Sequence, residues 1–110
     1  MIEEILIEYL SKNVGVPVYL EEKNLDEYLL VGKTGSSREN YIYSCIVFVQ
    51  SYAKTNYAAA LLNEKVKKAM DEIVSLDCIS SSKLNSDYNF TDTTKEKYRY
   101  QAVYDLVFYL

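Results

Sequence analysis

The chain has 110 residues, 49% of them hydrophobic and 25% charged, which suits one soluble globular domain and excludes disorder as its main state. A net charge of −4 and a pI near 4.8 argue against nucleic-acid binding, which depends on lysines and arginines that neutralise phosphates. The apolar runs, such as Cys45-Ile46-Val47-Phe48-Val49, are far short of the roughly 20 residues of a membrane-spanning helix. The opening Met1-Ile2-Glu3-Glu4 is acidic where a signal peptide is cationic, so the expected location is the cytoplasm.

In chain order, Ile2, Ile5, Leu6, Tyr9 and Leu10 carry the spacing of an amphipathic helix from Ile2 to about Asn13. Glu3 and Glu4 suit its positive end, Gly15 offers a stop and Pro17 blocks continuation. Val16–Leu20 reads as a short strand, with the proline marking a strand beginning or an edge. Polar residues from Glu21 to Asp26 form a loop, and Tyr28–Lys33 is a second strand. Thr34-Gly35-Ser36-Ser37-Arg38-Glu39-Asn40 has the composition of a turn-rich connection.

The third strand, Tyr41–Tyr52, is apolar on both sides: Ile42, Ile46 and Phe48 on one, Tyr43, Cys45, Val47 and Val49 on the other. It should therefore be central and covered on each face, with a neighbouring subunit as one candidate cover. Lys54–Ser75 reads as a helix capped by Thr55 or Asn56, its apolar stripe running through Tyr57, Leu61, Leu62, Val66, Ala69, Met70, Ile73 and Val74. Cys78–Phe90 alternates weakly, and Thr91-Asp92-Thr93-Thr94 forms a turn. In the last segment Tyr98, Tyr100, Ala102, Tyr104, Leu106 and Phe108 alternate with Arg99, Gln101 and Asp105, a strand that pairs antiparallel with the one before it. The expected fold is a single α+β domain over residues 1–110. Its order is α-β-β-β-α-β-β, with two helices on a mainly antiparallel sheet of about five strands.

Catalytic candidates are few. Histidine is absent, which removes the commonest general base and transition-metal ligand. Cys45 and Cys78 lie in apolar sequence without an activating partner or metal spacing, so they read as buried thiols rather than a disulfide. Gly32-Lys33-Thr34-Gly35 lacks the spacing of a phosphate-binding loop, and the reading there is a hairpin turn. Asp87, Asn89 and Asp92 alternate as calcium ligands do, but without the glycine and terminal glutamate of that loop. Glu21-Glu22-Lys23 and Glu96 do not fit the acidic pattern of a metal-dependent nuclease. The expectation is no enzyme, no cofactor and no metal. The 12 tyrosines suit an interface and suit strands equally well.

Three stretches carry a resemblance. They are Tyr28-Leu29-Leu30-Val31-Gly32-Lys33-Thr34-Gly35 with Arg38-Glu39-Asn40; Val49-Gln50-Ser51-Tyr52-Ala53-Lys54-Thr55 leading into Tyr57–Asn63; and Leu84–Asp92 with Tyr98-Arg99-Tyr100-Gln101-Ala102. Together they resemble the tail terminators, the tail-completion or minor tail proteins of tailed phages and prophages of low-GC Gram-positive bacteria. The resemblance implies a structural subunit that forms a hexameric ring, alone or only on the tail tube. Such a ring caps the tube and presents the surface that the head connector proteins join, so the partners are the chain itself, the tube protein and the connector. The site would be the head–tail junction of the virion, reached after assembly in the host cytoplasm. An acidic surface suits a conduit that must not hold passing DNA. A head–tail joining protein of the same fold is the alternative, and a small cytosolic ligand-binding module is an alternative of another class. The subunit-interface candidates are Arg38, Glu39, Tyr52, Tyr88, Phe90, Arg99 and Tyr100, each of which could equally serve turn geometry or core packing.

Overall fold

A computed structural model describes residues 1–91 and 97–109. The elements follow in the order α1 (Ile2–Val14), β1 (Val18–Tyr19), β2 (Tyr28–Glu39), β3 (Ile42–Ala53), α2 (Asn56–Asp71), a 3-10 turn (Ile73–Ser75), β4 (Ile79–Asn89) and β5 (Tyr98–Tyr109). This is the expected α+β order. The five strands lie in the spatial order β1-β2-β3-β5-β4, all neighbours antiparallel except the two-residue parallel contact of β1 with β2. No described helix is long and apolar enough to cross a membrane.

Both helices pack on one face of the sheet. Helix α1 turns Ile2, Leu6 and Leu10 inward and ends where Gly15 adopts φ 83°, its amide bonding the Ser11 carbonyl. Helix α2 starts at Thr55, whose side chain accepts a hydrogen bond from the Ala58 amide at 3.0 Å. Its inward stripe is Ala59, Leu62, Asn63, Val66, Ala69 and Met70. Tyr57 and Leu61, expected in that stripe, are exposed at 74% and 47%. They fall one turn-angle outside the buried arc that Leu62, Val66 and Met70 define. Tyr9 joins the helices by donating its hydroxyl to the Ala69 carbonyl at 2.6 Å. Beneath them Leu29 and Val31 of β2, Cys45, Val47 and Val49 of β3, and Ala102, Tyr104, Leu106 and Phe108 of β5 complete one core.

The largest departure concerns residues 34–39. Their glycines and serines read as a turn, yet β2 runs on to Glu39 and pairs with β3 along its whole length. Only Thr34 is extruded, as a bulge between Lys33 and Gly35. Gly32 is a strand residue over which the Phe48 ring lies so closely that an added Cβ would sit 2.4 Å from Phe48 Cζ. The actual reversal is the two-residue turn Asn40-Tyr41, with φ 51° and 69°, closed by the Glu39–Ile42 pair. The result is an elongated molecule of 45 × 24 × 21 Å, its long axis set by twelve-residue strands.

The other departures are smaller. β1 is two residues where five were expected; just before it, the Pro17 carbonyl accepts the Leu29 amide at 2.9 Å. β3 is central as expected but has a helical cover on one face only. The 91–94 turn lies outside the described residues apart from Thr91, and so do Asp92 and Glu96.

Candidate functional site

The face of the sheet turned away from the helices is the candidate. Strand alternation sends Ile42, Ser44, Ile46, Phe48, Gln50 and Tyr52 of β3 outward, and the register brings Tyr109, Val107, Asp105, Val103, Gln101 and Arg99 of β5 beside them. Ile42, Ile46 and Tyr109 remain 40–47% exposed, as do Tyr88 and Phe90 from the β4 side. Among the described residues only the 20–27 loop covers any of this face, at the Tyr28–Tyr52 end. There Tyr28 Oη accepts the Lys23 amide at 3.0 Å, and Lys97 Nζ donates to the Lys23 carbonyl at 2.7 Å. Lys54 and Asp26 pair at 3.3 Å at the same end.

Next to that loop the face carries an ordered cluster. The rings of Tyr28 and Tyr52 stack at 4.5 Å with an interplanar angle of 6°. Arg99 donates through Nη1 to the Tyr52 hydroxyl at 2.8 Å and through Nε to the Phe90 carbonyl at 2.6 Å. Its guanidinium lies 4.5 Å from the Phe90 ring centre, a cation–π contact, and Phe90 meets Tyr88 edge to face at 5.7 Å. The Tyr52 hydroxyl donates to Gln50 Oε1, Gln50 Nε2 to Gln101 Oε1, and Gln101 Nε2 to the Tyr88 hydroxyl. A chain of donors and acceptors thus crosses β3, β5 and β4, holding aromatic side chains in fixed orientations. Burial raises the Tyr28 phenol above its ordinary pKa, against the Lys23 amide whose hydrogen bond lowers it.

Further along the face lies an open concavity of about 600 Å³, lined by Ser37, Ser44, Ile46, Lys83, Asp105 and Val107 among others. Asn85 donates to Asp105 at 3.3 Å, while Lys83 has no ion-pair partner among the described residues.

Of the sequence-derived interface candidates, Tyr52, Tyr88, Phe90 and Arg99 meet in one cluster. Tyr52 is itself 2% exposed and serves as a packed support there rather than a contact surface. Tyr100 does not join them: it pairs with Ser51 on the helix-facing side. Arg38 and Glu39 lie at the opposite end, beside the Asn40-Tyr41 turn. Tyr28, Gln50 and Gln101 were missed, because their membership depends on cross-strand register, which no single strand pattern reveals.

The remaining candidates are occupied structurally. Asp87 accepts from Asn63 at 3.0 Å and Lys67 at 3.2 Å, pinning β4 to α2, and Asn89 bonds Asn56 and Thr91. Cys45 is buried and desolvation pushes its thiol to about 11; Cys78 is half-buried, and both are free. A second hollow of about 590 Å³ between α1 and the turn before β4 is lined by Ile5, Tyr9, Leu76 and Cys78 among others.

No family model matches the chain, and no curated protein matches it.

Proposed function

We propose that the chain is a structural subunit of a phage tail. It would act as a tail-terminator-like protein whose copies assemble into a ring on the end of the tail tube and offer the surface that the head connector meets. The observation that carries this reading is the uncovered outer face of the sheet. The four long strands, of eleven or twelve residues at about 3.4 Å each and about 4.8 Å apart, give the sheet a face of roughly 770 Å², of which the 20–27 loop covers one end. A face of that order approaches the ~800 Å² per partner of a standard protein interface, and it mixes apolar with polar side chains as such interfaces do.

The sheet edges support the same reading by contrast. Edge strand β4 carries bulges at Ile79/Ser81 and Leu84/Ser86 together with Lys83, and the open part of β2 carries the Lys33/Gly35 bulge with Lys33, Arg38 and Glu39. Bulges and charges are devices that discourage strand addition. The edges are blunted while Ile42, Ile46 and Tyr109 stay exposed on the face, so assembly runs through the face. The fold, the tyrosine-rich surface and the acidic balance are compatible with the family the sequence resembles. A head–tail joining protein shares these features, and the identity of neighbouring genes separates the two. The concavities are open hollows rather than enclosed pockets, which weighs against a small-ligand module.

Sedimentation velocity with negative-stain imaging, from micromolar to millimolar protein, tests the proposal. Closed rings of uniform size are expected. A monomer at every concentration overturns self-assembly through this face.

A further inference from the structure

The Asn40-Tyr41 turn reverses β2 into β3 with both residues in the left-handed region, φ 51° and 69°. Two-residue hairpins of this kind favour Asn-Gly, because the second position also needs positive φ. Asn40 fits. Tyr41 does not: a bulky side chain in that region is an outlier. It is 72% exposed, so burial within its own chain does not offset the strain. Strain that burial does not offset points to a contact outside the chain.

The surroundings of Tyr41 point the same way. The Arg38 guanidinium lies 5.3 Å from the Tyr41 ring and 5.5 Å from the Tyr43 ring, and Tyr43 stacks on Phe108 at 5.4 Å. Four side chains in a row, ending on the buried Phe108, hold the tip aromatic in place before any partner arrives. Tyrosine and arginine are the residues that most often dominate interface energetics, and pre-ordering lowers the entropy lost on binding.

We infer that this tip is an anchor that seats in the outer-face concavity of a second copy of the chain. The inference rests on the assembly reading above and names its contact. The concavity offers apolar Ile46 and Val107 to the ring, and the hydroxyls of Ser37 and Ser44 to the tyrosine hydroxyl. Its charges are Lys83 and Asp105, and the tip brings Glu39 and Arg38, so each charge finds its opposite. Glu39, like Lys83, has no ion-pair partner among the described residues. Each copy would give its tip to the next and receive the tip of the one before, a heterologous contact of the kind from which rings are built.

The test compares wild type, Tyr41→Gly and Asp105→Lys by sedimentation velocity over a concentration series and by thermal melting. Tyr41→Gly suits the turn, so its melting temperature should equal or exceed that of wild type, while the concentration needed for assembly rises at least tenfold. Asp105→Lys should also weaken assembly, and Arg38→Glu added to it should restore part of the loss. Wild type that assembles, with Tyr41→Gly assembling equally well, overturns the anchor and leaves the assembly reading standing. Wild type that stays monomeric throughout overturns both.

Discussion

Val47 and Ile46 are neighbours in β3, yet Val47 is fully buried and Ile46 is 40% exposed. The difference runs along the whole strand and separates two faces of one sheet. The helix face holds Leu29, Val31, Cys45, Val47, Val49, Ala102, Tyr104, Leu106 and Phe108 under α1 and α2. The outer face has no helix over it and mixes Ile42, Ile46, Phe48, Val103 and Val107 with Ser44, Gln50, Gln101 and Asp105, beside an ordered Arg99–Tyr52–Phe90 cluster. Apolar content alone does not tell a core from an interface. The covering element does, and among the described residues the helix face is covered along its length while the outer face is covered only at its Tyr28–Tyr52 end.

The largest expected contrast comes from trimming each face. Leu106→Ala, beneath the helices at 1% exposure, should cost about 2–5 kcal/mol in urea unfolding, through lost burial and the cavity left behind. A cost below 1 kcal/mol would mean that the helix face is not the closed core described. A smaller effect is expected on the outer face at Gly32, where Phe48 occupies the space a Cβ would need. Gly32→Ala should destabilise by about 1–3 kcal/mol from overpacking. In the Phe48→Ala background that penalty should vanish, which a double-mutant cycle measures.

The smallest effect is electrostatic and belongs to the helix face. Burial holds the Cys45 thiol neutral up to about pH 11, while an unfolded chain ionises at its ordinary value of 9.0. A raised folded pKa contributes stability that is complete below pH 9 and declines as the pH rises through 11. Tyr104, also shifted upward by burial, extends the decline to more alkaline solution. Urea midpoints should therefore fall across this window, and Cys45→Ala should flatten the first part of the fall. A midpoint that does not change with pH contradicts the buried placement of both groups.

How much of this was legible in the sequence follows from which physical signals are local. The i, i+3, i+4 spacing of Ile2, Ile5, Leu6, Tyr9 and Leu10 and the stop at Gly15 placed α1. The strict alternation from Tyr98 to Phe108 placed β5 and separated its two faces correctly. Residues 34–39 were misread because their glycines and serines have turn chemistry. What keeps them extended is pairing with β3, a partner that local composition does not reveal. Tyr57 and Leu61 were misassigned because a helix rich in apolar residues allows more than one stripe, and the sheet beneath selects one. Half of the outer-face cluster was legible as tyrosine, phenylalanine and arginine on alternating strands. Gln50 and Gln101 were not, since glutamines become a link only when the register sets them side by side at 2.7 Å.

The central claim is that the outer face is covered by another copy of the chain. Ile46→Glu, compared with wild type by sedimentation velocity, tests it most directly, because Ile46 lies on the open face and carries little of the fold. The account requires an unchanged melting temperature and loss of the assemblies that wild type forms. Assemblies of unchanged size and concentration dependence in Ile46→Glu would contradict it.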